Sequence, residues 1–496
     1  MKKYFLSLKQ LAILAFCGIV LSSCSKNDDN GGDDSENVTL NNEVNDFIWR
    51  GLNEVYLWQG EVANLADTKD DDKNEYYKFL NSYDTPENLF ESLLYQRGTI
   101  DKFSFLTDDY VELENSFAGV SKSNGLEFYL GRIGSSDDVF GVVKYVVNGS
   151  NAATKDIARG DFFLSVDGTQ LTVDNYSDLL FGDNDSYTLG MADVTDGTIA
   201  SNGKTVDLTK TELIEDPILM HKVIEQDGHK IGYLVYNGFV ANFDKELNNV
   251  FADFKSQGVT DLVLDLRYNP GGSVQSSIYL SSMITGQFTG EIYSTEVWND
   301  RYQAYFEANS PESLNNRFLD KMSDETTINK LNLSKVYILT TNGTASASEL
   351  VLNCLKPYID VVQIGETTVG KYTASITLYD SDNFGRDGAN PDHTYAIQPL
   401  VLKSANANGV TDYYDGITPD IAIDEDITEF KPLGDTSEPY LAAAIQSITG
   451  TSTKTAARMQ PALNYIPEKI SNSANFKPLK DNMYIDIKNQ ELPSIK

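Results

Sequence analysis

Strands alternate with helices over residues 230–364, and this alternation constrains the fold more than any other feature of the chain. Between the apolar runs of strand length, apolar residues recur at helical spacing. The runs occupy residues 231–236, 262–266, 336–339 and 361–364. Strands joined through helices typically form a parallel sheet with helices packed on its faces. The pattern therefore predicts an α/β core, which we place at residues 214–450.

The segments before this core have different patterns. Residues 43–115 carry apolar stripes at helical spacing, for example Phe47, Leu52 and Val55, and predict a small all-helical N-terminal domain. Residues 116–213 instead alternate short β-branched runs with turn signals, which predicts a β-rich domain. The whole is expected to be a multidomain α+β protein. Residues 451–496 form a polar C-terminal tail without a clear pattern.

The β-rich segment contains a recognisable order of turns. Arg159-Gly160-Asp161 precedes a run that ends at Asp167-Gly168, a dipeptide typical of hairpin turns. This order resembles the middle of a PDZ domain. The resemblance implies that a strand edge binds an extended peptide by β-augmentation. The peptide-binding loop would consist of Gly125, Leu126, Glu127 and Phe128. A β-rich spacer without a ligand is the alternative.

The first residues have the features of an export signal. Lys2 and Lys3 precede an apolar run at residues 11–21 that is too short to span a membrane. Leu-Ser-Ser-Cys at its end resembles a bacterial lipobox, which implies a signal peptide over residues 1–23 and a lipid anchor on Cys24. A signal peptide with an unrelated cysteine is the alternative.

An acidic, glycine-containing stretch follows Cys24 and predicts a flexible tether over residues 24–42. This stretch resembles the surface-export signal of Bacteroidetes lipoproteins. We therefore expect a lipid-anchored protein of the cell envelope, held at the outer membrane on its periplasmic or cell-surface face.

Charge and the metal-binding residue types exclude several functions. The chain has 39 basic and 73 acidic residues and a net charge of −34, so nucleic acid is not an expected partner. The three histidines have no ligand-like spacing, and Cys354 lies on an apolar helical face. We predict neither a metal nor a cofactor.

Ser346 lies where a helix begins directly after a strand, and Glu349 completes a Ser-x-x-Glu capping box. Taken alone, this is a helix N-cap. The same position also offers free backbone N–H groups that stabilise an oxyanion. A second turn, Asn269-Pro270-Gly271-Gly272, follows another strand, and its glycines allow the backbone to approach a ligand closely.

Lys371 follows Gly370 in a loop after a third strand. An isolated loop lysine is usually a solvated charge. To act as a base near neutral pH, its pKa must fall from about 10.4 to near 7, which requires burial.

The turns at Gly271, Ser346 and Lys371 follow one another in this order after the PDZ-like segment. This arrangement resembles that of the C-terminal processing peptidases, also called tail-specific proteases. The resemblance implies a crotonase-like core in which Ser346 is the nucleophile and Lys371, 25 residues later, is the general base. It implies an oxyanion hole at the N–H of Ala347 with that of Gly271 or Gly272, and a supporting role for Glu349. The implied substrate is a polypeptide, bound by its C-terminal segment.

Two positions depart from the family pattern. Ser375 stands where many relatives carry a glutamine that supports the lysine, and Phe103 stands where related enzymes place a histidine. Lys371 therefore remains the expected base, and another group must position it. The alternative is a peptide-binding lipoprotein with a weak or inactive site. An esterase of the α/β-hydrolase type lacks support, because no Gly-x-Ser-x-Gly motif surrounds Ser346.

Overall fold

The computed structural model describes residues 37–428, 430–451, 463–477 and 483–485. Cys24, the signal peptide and most of the expected tether lie outside these residues, so their assignments stay predictions. Among the described helices, none is both long and apolar enough to cross a membrane.

The N-terminal part packs its helices directly against the α/β core. Its elements are α1 (Glu43–Val55), α2 (Lys73–Leu80), α3 (Pro86–Ser92), β1 (Phe105–Thr107) and α4 (Tyr110–Phe117). A Cβ atom on Gly51 of α1 would lie 2.7 Å from Ile397 Cδ1, which shows how closely the two parts approach. The apolar side chains of α1 and of the core consequently form one continuous hydrophobic cluster.

The β-rich part is an antiparallel sheet with one short helix. Its elements are β2 (Val120–Ser123), β3 (Leu126–Arg132), β4 (Val139–Val146), β5 (Phe162–Val166), β6 (Thr169–Gln170), α5 (Tyr176–Phe181), β7 (Ser186–Thr195), β8 (Thr198–Thr209) and β9 (Thr211–Ile214). Strands β3, β4, β5, β7 and β8 are neighbours in that order. Asp167 and Gly168 have φ values of 50° and 77° and close the predicted hairpin between β5 and β6.

The core alternates strands and helices as predicted. Its elements are β10 (Ile218–Gln226), β11 (His229–Tyr236), α6 (Asp244–Gln257), β12 (Asp261–Asp265), β13 (Gly272–Ser273), α7 (Val274–Ile284), β14 (Ile292–Trp298), α8 (Asp300–Asn309), β15 (Asn315–Arg317), β16 (Lys335–Thr340), α9 (Ala347–Leu355), β17 (Asp360–Gly365), β18 (Thr373–Ser375), β19 (Leu378–Tyr379), β20 (Ala396–Gln398), β21 (Leu400–Asn406), β22 (Ile421–Ala422) and α10 (Pro439–Thr449).

The principal sheet has the order β10-β11-β12-β16-β17-β22 and is parallel from β11 onward. Helices α6, α7 and α9 cover one face, and α10 covers the other. Because parallel strands end at the same edge, the turns after β12, β16 and β17 lie together at that edge. These turns are the three that the sequence singled out.

The first part of the chain is not entirely helical, which corrects the prediction for residues 43–115. β1 pairs antiparallel with β20 of the core, with Phe105 opposite Gln398. A three-residue strand forms only where a partner edge is available, and this edge lies almost three hundred residues away in sequence. The boundary expected at residue 115 falls inside α4, and the one expected at residue 213 falls inside β9.

Two strands of the C-terminal tail join sheets of the preceding domains. β23 (Glu468–Asn472) pairs antiparallel with β3, and a 3-10 helix over Ser473–Phe476 follows it. β24 (Met483–Tyr484) lies between β13 and β18 in a second sheet. The sequence predicted no structure for this region.

Candidate active site

Ser346 is held in a strained backbone conformation at the start of α9. Its φ of 65° and ψ of −116° lie in a region that residues other than glycine seldom adopt, at a cost of about 1–3 kcal/mol. The side chain is completely buried, and its Oγ has no hydrogen-bond partner among the described residues. The structure thus keeps a serine hydroxyl available at a helix N-terminus.

Glu349 connects the serine turn with the lysine loop. Its Oε2 accepts hydrogen bonds from the backbone N–H of Ser346 at 2.7 Å and of Lys371 at 2.8 Å. Its Oε1 accepts from the N–H of Gly370 at 2.6 Å and from Thr368 Oγ1 at 2.5 Å. The backbones of Ser346 and Lys371 therefore meet at a single oxygen atom.

Burial raises the pKa of Glu349 to about 7, and the surrounding hydrogen-bond donors limit the rise. The family resemblance implied a supporting role for this residue, which stays a prediction. The hydrogen bonds to Glu349 fix the backbone segment that follows β16 relative to the one that follows β17.

Lys371 lies inside the protein rather than on its surface. Only 1% of the residue is exposed, and its Nζ lies 5.0 Å from the centre of the Phe103 ring. The preceding Gly370 has φ 94°, and a Cβ there would come within 2.2 Å of the Tyr414 carbonyl oxygen. Phe103, in the position considered for a histidine, thus covers the ammonium group with an aromatic face.

The Pro-Gly-Gly turn is connected to the start of α9 by Asn269. The Asn269 side chain accepts the N–H of Gly271 at 2.9 Å, and its carbonyl oxygen accepts the N–H of Ala345 at 3.1 Å. Gly272 has φ 133°, and a Cβ there would lie 2.3 Å from the Phe239 carbonyl oxygen. The N–H of Gly271 is therefore engaged within the turn, and Gly272 has no room for a side chain.

Ser375 is in contact with a glutamine that comes from another strand. Its Oγ lies 2.6 Å from Oε1 of Gln398 on β20 and 3.1 Å from the Met483 carbonyl oxygen, and it can donate to either. Gln398 is completely buried and also donates to Thr377. Sequence reasoning missed Gln398, since nothing in the linear order places its side chain beside Ser375.

A buried ionic network lies beneath the site. Arg267 is fully enclosed and pairs with Asp265 at 2.9 Å and Glu438 at 2.8 Å. Although burial disfavours the charged form, these carboxylates hold the pKa of Arg267 above its usual value. Arg159 of the β-rich part donates to the Tyr268 hydroxyl at 2.6 Å, so the network also joins that part to the Pro-Gly-Gly turn.

The predicted peptide-binding loop forms the beginning of β3. Glu127 in this loop is buried, and its carboxylate lies 2.8 Å from Lys477 Nζ of the C-terminal tail. Phe128 donates its N–H to Ser473 Oγ at 3.0 Å. The loop therefore has an acidic side chain in contact with a lysine of the same chain.

Comparison with known proteins gives matches over most of the described chain. Residues 230–423 match the model of peptidase family S41, and residues 43–105 match that of the peptidase S41 N-terminal domain. A carboxyl-terminal-processing protease of Picosynechococcus is 26% identical over 278 residues, 53% of this chain and 58% of that protein. A chloroplastic C-terminal processing peptidase of Tetradesmus obliquus is 26% identical over 331 residues, which cover 64% of this chain and 63% of that protein.

The chain thus spans about three-fifths of the length of these curated relatives. The structure is also similar to the crystal structure of a Bacteroides fragilis protein described as an S41 protease. The two have a TM-score of 0.65 and 26% identity, with 81% of this chain and 97% of the other covered.

Proposed function

Because the chain belongs to peptidase family S41, we propose that it is a serine peptidase of the C-terminal processing type. In this proposal Ser346 is the nucleophile, Lys371 is the general base, and the substrate is an exported or unfolded polypeptide. The observation that carries the proposal is the Glu349 carboxylate, which holds the backbones of Ser346 and Lys371 on one oxygen.

The chemistry begins at the Ser346 hydroxyl. Its proton passes to neutral Lys371 as Oγ attacks the scissile carbonyl carbon, and a tetrahedral oxyanion forms. The N–H of Ala347, at the first turn of α9, and that of Gly272 are the proposed donors to this oxyanion. Lys371 then gives the proton to the leaving amine, which completes an acyl-enzyme.

Water hydrolyses the acyl-enzyme with Lys371 again acting as the base. A lysine performs this role only when its ammonium form is disfavoured by desolvation. The 1% exposure of Lys371, which the Phe103 ring shields from water, supports that condition. Gln398, through the Ser375 hydroxyl, is the proposed replacement for the glutamine that the family pattern led us to expect near the lysine.

The remaining domains fit substrate delivery. We assign residues 116–213 as a PDZ-like domain, which is supported by the antiparallel sheet, the single helix α5 and the hairpin at Asp167-Gly168. The crotonase-like assignment of the core is supported by the parallel sheet with helices on both faces. Lipidation of Cys24 would attach the enzyme to the outer membrane of the cell envelope.

The test compares single variants of a chain that begins at residue 37. Ser346→Ala and Lys371→Ala should each abolish cleavage of an unfolded polypeptide, and Lys371→Ala should also prevent covalent labelling of Ser346 by a fluorophosphonate. Ser135→Ala and Lys356→Ala, both at exposed positions, are the matched controls and should retain activity. Equal cleavage by wild type and Ser346→Ala would overturn the proposal.

A further inference from the structure

The edge of the β-rich sheet is already occupied by the chain's own C-terminal tail. β23 pairs antiparallel with β3, with Glu468 opposite Arg132 and Asn472 opposite Tyr129. Without β23, β3 would be the exposed edge strand of this sheet. An extended peptide adds to such an edge by main-chain hydrogen bonds. β23 therefore has the position that an added peptide strand would take.

The residues after β23 fill the space between β3 and α5. Phe476 stacks on Phe181 of α5, with ring centres 3.7 Å apart and planes 9° from parallel. Lys477 Nζ lies 2.8 Å from Glu127 Oε1 and 3.0 Å from Glu215 Oε2. Glu127 also accepts a hydrogen bond from Ser473 Oγ at 2.5 Å. The Phe476 ring thus contacts an aromatic ring of α5, and the adjacent Lys477 ammonium group contacts two carboxylates.

The second piece of the tail lies in the candidate active site. β24 runs parallel to both of its neighbours, with Met483 opposite Gly272 on β13 and Tyr484 opposite Ser375 on β18. The N–H of Ile485 donates to the Ser375 carbonyl oxygen at 3.0 Å. β24 therefore lies between the Pro-Gly-Gly turn and the strand that follows Lys371.

Space remains beside this strand. A cavity of about 150 Å³ is lined by Tyr484 and Lys477 of the tail and by Pro270, Gly271 and Gly272 of the turn. The volume is suited to a single side chain and is next to the proposed oxyanion donors.

The tail is attached by contacts that a competing peptide can reproduce. Among residues 463–477 only Ser473 is buried, and 40% of Phe476 and 96% of Ile466 are exposed. The attachment depends on main-chain pairing, one stacked ring and one lysine between two carboxylates. A segment that was an obligatory part of the core would bury apolar side chains. The contacts of residues 463–477 instead resemble those of a bound peptide, whereas Met483 of β24 is completely buried in the hydrophobic cluster of the core.

We propose that residues 468–477 are an intramolecular occupant of the peptide-binding edge of the β-rich sheet, which a substrate must displace. The inference rests on the proposed peptidase function and specifies its substrate class. The substrate is an extended segment with an aromatic residue followed by a basic one, which replace Phe476 and Lys477. Glu127 and Glu215 select the basic residue, because a third carboxylate placed between them would be repelled.

Binding is measured first, in a form that does not depend on catalysis. The probe is a fluorescent peptide of residues 463–477, and the receptor is the Ser346→Ala chain that ends at Thr451. We expect the peptide to bind this truncated chain but not the full Ser346→Ala chain, whose sheet edge is occupied. A Lys477→Glu peptide should bind at least about tenfold more weakly. Equal binding of both peptides, or of the first peptide to both chains, would overturn the inference.

The second measurement uses the full chain and does not depend on whether the truncated chain folds. Lys477→Glu should loosen the tail and raise kcat/KM for an unfolded polypeptide by about tenfold or more, mainly through a lower KM. Ile466→Ser, at an exposed position of the same segment, is the control and should cleave as the wild type does.

The two measurements separate the inference from the function on which it rests. If the wild type cleaves and Lys477→Glu does not cleave faster, the inference is wrong and the peptidase proposal stands. If no form of the chain cleaves but the peptide binds only the truncated chain, the peptidase proposal is wrong and the tail is still a peptide-site occupant.

Discussion

Glu349→Gln tests the carboxylate that joins the serine turn to the lysine loop. In the folded chain the pKa of Glu349 is raised to about 7 from a reference value of 4.5, chiefly by burial. The native state therefore holds this proton more firmly than the unfolded state. The corresponding stability is fully present below pH 4.5 and is lost as the pH rises through 7.

The size of the effect follows from the two pKa values. Between pH 5 and pH 8, a group that titrates at 7 when folded and at 4.5 when unfolded changes the free energy of unfolding by about 2.5 kcal/mol. Glutamine does not titrate, so the Glu349→Gln variant should lack this change. Over this range the free energy of unfolding should thus fall by about 2.5 kcal/mol more in the wild type than in the variant.

The assay is urea unfolding at several pH values between 5 and 8, followed by tryptophan fluorescence. Glu112→Gln, at an exposed position of α4, provides the matched control and should follow the wild type across the range. Parallel pH profiles for the wild type and Glu349→Gln would refute the reasoning, because they would show that burial does not hold a proton on this carboxyl group.

Three further substitutions test other parts of the site. Phe103→Ala should reduce kcat by about tenfold with little change in KM, because water would then reach Lys371 and favour its ammonium form. Phe103→Leu should retain most of the activity in the same cleavage assay. Gly272→Ala should abolish cleavage and lower the free energy of unfolding by more than about 2 kcal/mol. Its control is Gly168→Ala, where the Cβ position has open space; this variant should lower the free energy of unfolding by only about 1 kcal/mol and leave cleavage unchanged. Arg267→Leu leaves two buried carboxylates unpaired and should cost about 3–5 kcal/mol in urea unfolding, and mild acid should restore part of that loss.

The α/β core could be predicted from sequence because its signals are local. Apolar runs of strand length and helical spacing each depend on neighbouring residues, and α9 begins directly after Ser346, as the capping box predicted. The approach of Ser346 to Lys371 was predicted from the order of motifs. The four hydrogen bonds to Glu349 that bring the two residues together could not be predicted, because they depend on the folded positions of the backbone.

The features that sequence missed depend on contacts between distant segments. Gln398 reaches Ser375 only through the pairing of strands, and the position of Phe103 over Lys371 depends on the same arrangement. The tail strands were missed for a different reason. β23 buries few side chains and β24 has only two residues, so neither shows the apolar period from which a strand is predicted.

The pairing of β1 with β20 has a consequence for the order of events during synthesis. Phe103, which covers Lys371, lies two residues before the start of β1, and the partner of β1 emerges only after most of the chain has been made. A nascent chain therefore cannot enclose its lysine early. The candidate site is completed only after β20 has been synthesised, so a chain shortened before β20 would leave Lys371 without the cover of Phe103.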